Sequence, residues 1–125
     1  MTRRKPKIIN QTRIKNAIDS LPNPMYDKKH DLTIYIVGKA RSNQSRVDHI
    51  AEYGHDLKVR DIESIPNELN NYLLFKKNSA YKSTFNYYLK RKGKSKGLIK
   101  VSIRISEVNP RIAWIKTIFI TYNIK

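Results

Sequence analysis

Apolar residues at Ile8, Ile14, Ala17, Ile18 and Leu21 recur at helical spacing and predict a short amphipathic helix over 8–21. Pro22-Asn23-Pro24 ends it, because proline cannot continue the hydrogen-bond ladder. Residues 32–37 form a β-branched run closed by Gly38 and read as a strand. A second helix is expected over 42–53, with Ser42 or Asn43 as its cap and Gly54 as a left-handed stop. Val47, Ile50 and Ala51 make its buried stripe, while Arg46, His49 and Tyr53 share a flank. Pro66 interrupts the next stretch, so residues 62–69 are expected to hold at most one helical turn and a loop.

Beyond this point the pattern changes to strand-like alternation. Residues 72–76 can form a first strand. In 84–91, Phe85, Tyr87 and Leu89 point one way, and Thr84, Asn86, Tyr88 and Lys90 the other. Lys92-Gly93-Lys94-Ser95-Lys96-Gly97 has the composition of a hairpin tip. Over 98–105, Ile99, Val101, Ile103 and Ile105 point inward, with Lys100, Ser102 and Arg104 outward. Asn109-Pro110 turns the chain into a long strand over 112–124, apolar on both faces and so central, covered on one side by a helix. The expected fold is α+β in one domain over 1–125: a basic arm and helix in 1–31, then a core in 32–125. In that core, helices precede an antiparallel meander of roughly four to five strands.

Charge adds a partner class. The chain has 26 basic and 10 acidic residues, a net charge of +16, and no cysteine. Residues 1–16 carry no acid, nine of the ten acids lie in 17–68, and Glu107 alone opposes thirteen basic residues in 69–125. Such an excess costs self-repulsion, which a polyanionic partner relieves. With 39% apolar residues and eight tyrosines the chain should nevertheless fold. The absence of cysteine excludes disulfides, a thiolate nucleophile and a Cys-based zinc site. No apolar run approaches the roughly 20 residues of a membrane span. Met1-Thr2-Arg3-Arg4-Lys5 is not followed by the apolar stretch of a secretory signal, so a cytoplasmic location without membrane contact is expected. The 17 Ile, 17 Lys and 11 Asn point to an AT-rich genome.

Three histidines are candidates for chemistry. His30 is expected in a solvated loop. His49, on a helix flank, and His55, just past the glycine stop, bracket one helix. Two imidazoles beside a basic surface can cleave RNA without metal, one taking the 2′-hydroxyl proton and the other protonating the leaving oxygen. The alternatives are structural: His55 as a partner of the helix C-terminal dipole, and His49 at the edge of the core. Their spacing does not match a helical metal pair, and no HExxH is present. On the meander, Lys100 and Arg104 can stabilise a phosphorane, with Tyr88, Ser102, Thr117 and Thr121 as neighbours if the pairing brings them together. Arg46, Tyr88, Lys90, Arg91, Lys92, Lys94 and Lys96 are expected to hold the RNA itself. Phosphate-binding GxxxxGK[ST], GxGxxG and GxSxG motifs are all absent.

The order of a strand, a helix bearing Arg46-Val47-Asp48-His49-Ile50, His55, the loop Ile65-Pro66-Asn67-Glu68-Leu69 and a basic meander ending in Ile118-Phe119-Ile120-Thr121-Tyr122 resembles a known group. This is the barnase–EndoU–colicin–RelE nuclease group, in its phage and mobile-element branch. The resemblance covers 32–124 and leaves 1–31 without a counterpart. It implies a metal-independent endoribonuclease, often a toxin, that attacks RNA through the 2′-hydroxyl and leaves a cyclic phosphate. Carried over, the active residues are His49 with His55 as partner, Lys100 or Arg104, and Thr121. It needs no cofactor, and an acidic antitoxin or immunity protein is the expected protein partner. The competing expectation is a non-catalytic nucleic-acid-binding accessory protein of a mobile element.

Overall fold

A computed structural model describes residues 8–41, 44–54 and 56–123. The basic arm 1–7, Ser42, Asn43 and His55 lie outside the described residues. In chain order the elements are α1 (Ile8–Asp19), β1 (Met25–Asp27), β2 (Leu32–Tyr35), β3 (Lys39–Arg41), β4 (Gln44–Ser45), α2 (Arg46–Tyr53), α3 (Val59–Glu68), β5 (Leu74–Lys77), β6 (Thr84–Lys90), β7 (Leu98–Ile105) and β8 (Ile112–Thr121). They form an α+β fold with a curled, mixed six-stranded sheet ordered β1-β2-β8-β7-β6-β5. The expected antiparallel meander is there as β5 to β8. It does not end at β8, as the alternation alone suggested. β2 pairs with β8 in parallel, from Thr33↔Ile112 to Tyr35↔Trp114, and β1 adds antiparallel to β2.

Two helix boundaries differ from the sequence expectation. Lys39–Arg41 and Gln44–Ser45 pair as β3 and β4, and α2 starts at Arg46 with Ser45 as its cap, where Ser42 or Asn43 was expected. The Ser45 hydroxyl accepts from the Asp48 N–H at 3.1 Å and donates to the Asp48 carboxylate at 2.7 Å. Gly54 is not left-handed either, with φ −79° and ψ 59°. Glycine is required there for space, since a Cβ would lie 2.7 Å from the Ile50 carbonyl oxygen.

α3 departs further, with ten helical residues where one turn was expected. Asp61 starts it, accepting from the Lys58 N–H at 2.9 Å. Pro66 lies in its last turn, where it removes the hydrogen bond to the Ile62 carbonyl. Ile62, Ile65 and Leu69 are fully buried. At roughly 1.5–3 kcal/mol for each such side chain, they outweigh a proline penalty of about 3 kcal/mol.

The helices pack on one face of the sheet. Ile14 and Ile18 of α1, Ile50 and Ala51 of α2, and Ile62 and Ile65 of α3 share a core with Tyr87, Leu89, Ile99, Val101, Ile103, Ala113, Ile115, Ile118 and Ile120. The step from Ile115 to Ile118 breaks strict alternation. Ser102 pairs with Thr117 but Ile103 pairs with Ile115, so Lys116 is the extra residue of a β-bulge.

Two buried carboxylates hold polar groups inside. Arg91, 6% exposed, grips both oxygens of Asp61, Nε at 3.1 Å and Nη2 at 2.9 Å, and Nη1 donates to the Lys96 carbonyl at 2.6 Å. It anchors the β6–β7 hairpin to α3 and is not presented to RNA, which corrects its expected role. Asp27, also buried, accepts from the Tyr87 hydroxyl, the Lys29 N–H and the His30 ring. Burial and the Asp27 carboxylate keep the Tyr87 hydroxyl protonated well above its usual range. His30 stacks on Phe75 with ring centroids 4.1 Å apart, so in its turn it is half-buried and packed where a freely solvated ring was expected.

Arg91→Ala leaves the Asp61 charge buried without its fork. It should cost about 3–5 kcal/mol in denaturant-induced unfolding, whereas the double change Arg91→Met with Asp61→Leu should cost clearly less.

Candidate nucleic-acid interface

The face of the sheet turned away from the helices carries the second set of alternating side chains. Strand pairing arranges them in rows. Thr84, Arg104, Trp114 and Tyr35 form one, and Lys76, Asn86, Ser102 and Thr117 the next. Leu74, Tyr88, Lys100 and Phe119 follow, and then Lys90, Leu98 and Thr121. The expected facing of Lys100, Ser102 and Arg104 is therefore observed. Their exposure differs. Arg104, Lys76 and Lys90 are exposed and Lys100 is half-buried, while Thr84, Asn86, Ser102 and Tyr88 are buried among the longer side chains.

Tyr88, expected to stack on RNA, has no exposed surface and forms instead the floor under Lys100. The Lys100 ammonium lies 5.8 Å from the Tyr88 ring centroid and 5.2 Å from that of Phe119. Burial lowers its pKa. Below it, the Ser102 hydroxyl donates to the Asn86 side-chain oxygen at 2.6 Å.

The bulge adds a residue that strict alternation hides. Lys116 comes to lie with Arg104 and Arg46; burial, then Arg104, then Arg46 lower its pKa. Its carbonyl accepts from Arg46 Nη1 at 2.8 Å, past the last β2–β8 pair. Its ammonium sits 4.4 Å from the Tyr81 ring centroid, on the loop joining β5 to β6. The clue in the sequence was the three-residue step between Ile115 and Ile118.

Arg46 fixes one end of α2 against β8. Beyond the other end, the Tyr122 hydroxyl donates to the Asp56 carboxylate at 2.8 Å. α2 thus runs alongside the second half of β8. His49 is one turn on from Arg46, about 4.5 Å along the helix. It is half-buried, its ring tilted against Tyr53 with centroids 4.9 Å apart. His55, its expected partner, lies outside the described residues. Thr121, at the far end of β8, donates to the Asn123 carbonyl at 2.8 Å. Thr117, not Thr121, is next to Lys116.

A second group of cations lies at the hairpin tip. Lys92, Lys94 and Lys96 are exposed there, and Arg60 of α3 donates to the Ser95 hydroxyl at 2.5 Å. From Leu98 at this end to Arg104 at the other, β7 spans about 20 Å, with Lys100 between. Among the described residues, no group of three His, Asp or Glu side chains could hold a metal ion, and no helix is long and apolar enough to cross a membrane. No protein-family model, curated protein or solved structure matches the chain.

Trp114 is the only tryptophan and stands opposite Arg104 on this face. Single-stranded RNA should change its fluorescence. In a salt titration, Lys116→Ala should reduce the log–log slope of binding by about 0.7, the share of one phosphate contact to a single strand.

Proposed function

We propose that the face opposite the helices binds RNA, and that the protein is a metal-independent endoribonuclease of the barnase–EndoU–colicin–RelE kind, a toxin of a phage or mobile element. The observation that supports this reading best is the gathering of Arg104 and Lys116 at the β8 bulge, where the Lys116 carbonyl also holds Arg46 at the start of the helix that carries His49. Cations packed this closely destabilise one another, and a phosphate between them relieves that.

In this reading the hairpin lysines and Lys100 lead the RNA backbone along β7 to the cluster. The His49 imidazole takes the proton of a 2′-hydroxyl, and that oxygen attacks the adjacent phosphorus. Arg104 and Lys116 hold the charge gathering on the phosphorane oxygens, and Thr117 positions one of them, the task expected of Thr121. The bond to the 5′-oxygen breaks as a proton reaches that oxygen from an acid, the part assigned to His55. A cyclic phosphate and a free 5′-hydroxyl remain. An acidic antitoxin or immunity protein would bind by covering the same cations.

A non-catalytic accessory protein that binds nucleic acid is the second reading. It is favoured by one observation: His30 is held by Asp27 and stacked on Phe75, so it is engaged within the fold and not offered to a substrate. Incubating total RNA in chelator separates the two. An endoribonuclease leaves cyclic-phosphate ends, and His49→Ala or Arg104→Ala should slow it roughly 10²–10⁴-fold. Undiminished cleavage by the variant carrying both His49→Ala and Arg104→Ala would sink the residue assignment. Binding by the wild type with no cleavage would establish the accessory role.

A further inference from the structure

Three tyrosines have substantial exposure: Tyr26 at 46%, Tyr81 at 61% and Tyr122 at 58%. Two of them hydrogen-bond a carboxylate through the hydroxyl, Tyr26 to Asp31 at 2.5 Å and Tyr122 to Asp56 at 2.8 Å. A phosphate brought to either ring meets a negative charge. Tyr81 has the opposite setting, with the Lys116 ammonium over its ring and Arg104 close enough to Lys116 to lower its pKa.

The loop that carries Tyr81 is held in place. The Asn78 N–H donates to the Thr84 carbonyl at 2.8 Å, and the Asn78 side-chain oxygen accepts from the Ala80 N–H at 2.8 Å. The Ser83 carbonyl accepts from the Ile105 N–H at 2.8 Å, and Lys82 pairs with Glu107 at 3.5 Å. Ser83 adopts a φ of +58°, which turns the chain back into β6. Reaching Lys116 from this loop means crossing β7, about 10 Å for two strand spacings, so Tyr81 arches over the end of the face where Arg104 stands.

We infer that Tyr81 is a base-stacking subsite, taking the nucleobase next to the phosphate held by Arg104 and Lys116. One side of the ring faces the ammonium and the other is left to a base. Tyr88 and Trp114 cannot serve in its place, one being fully buried and the other half-buried in the sheet. A ring stacks any base that is not already stacked in a duplex, so Tyr81 selects single strands and tolerates sequence. The inference deepens the RNA-binding reading of this face and rests on it.

The test measures binding of three ligands of equal length to the full chain: a single-stranded oligoribonucleotide, its duplex, and an abasic phosphodiester oligomer. Tyr81→Ala should weaken the single strand roughly tenfold and leave the abasic oligomer and the duplex unchanged. Tyr81→Phe should bind like the wild type, because stacking uses the ring and not the hydroxyl. An equal loss for the abasic oligomer, or no loss for the single strand, overturns the subsite while leaving the RNA-binding face standing. Failure of the wild type to bind both the single strand and the abasic oligomer overturns that face, and the subsite with it.

Discussion

β8 carries one residue more than β7 can pair with, and most of the arrangement around it stems from that surplus. Ala113 and Ile115 face the core before the bulge, and Ile118 and Ile120 face it afterwards. Without the bulge the same residues would alternate strictly and the second half of the strand would turn over, placing Ile118 and Ile120 outside and Phe119 within. With it, Lys116 and Thr117 come together on the far side of the sheet, and the Lys116 carbonyl becomes the acceptor that fixes α2 through Arg46. One irregularity therefore joins the hydrophobic layer, the helix bearing His49 and the cationic cluster.

The acids explain why so much positive charge is left over on that far side. Asp61 is committed to Arg91 and Asp27 to Tyr87 and His30, all within the protein. Asp48 is held by Ser45 and Lys15 at the start of α2, and Asp56 by Tyr122. Each anchors one element to another. Glu107 alone lies among the basic residues of the meander, and it pairs with Lys82. A net charge spread along the sequence thus becomes, on folding, a set of carboxylate anchors between elements, two of them buried, and an external line of cations.

How much of this the sequence disclosed depends on whether the determining signal was local. The facing of Phe85, Tyr87 and Leu89 against Tyr88 and Lys90 could be read directly, because side-chain alternation is a property of the strand itself. α3 could not, since Pro66 argues against a helix locally and only the burial of Ile62, Ile65 and Leu69 reverses the balance. The parallel pairing of β2 with β8 has no signature in either segment. The facing of Lys100 and Arg104 could be read from alternation, and the shared helix of Arg46 and His49 from its spacing. Lys116 and Tyr81 were missed, one because the bulge shifts its facing and the other because an exposed loop residue shows no pattern. Tyr88 and Arg91 were misassigned for the converse reason: residue type suggests contact with RNA, and burial withdraws it.

The pairing of Thr33 with Ile112 also bears on when the molecule becomes competent. Closing β2 onto β8 joins segments far apart in the chain, a slow step because the intervening polymer must be ordered before the contact is rewarded. β8 is synthesised after all the other described elements. A nascent chain can build its helices and the β6–β7 hairpin while Lys116 is still to be made. Arg46 then has no carbonyl to grip, and the charge cluster does not exist. The charge cluster therefore exists only once β8 has been made through Lys116 and has paired with its neighbours.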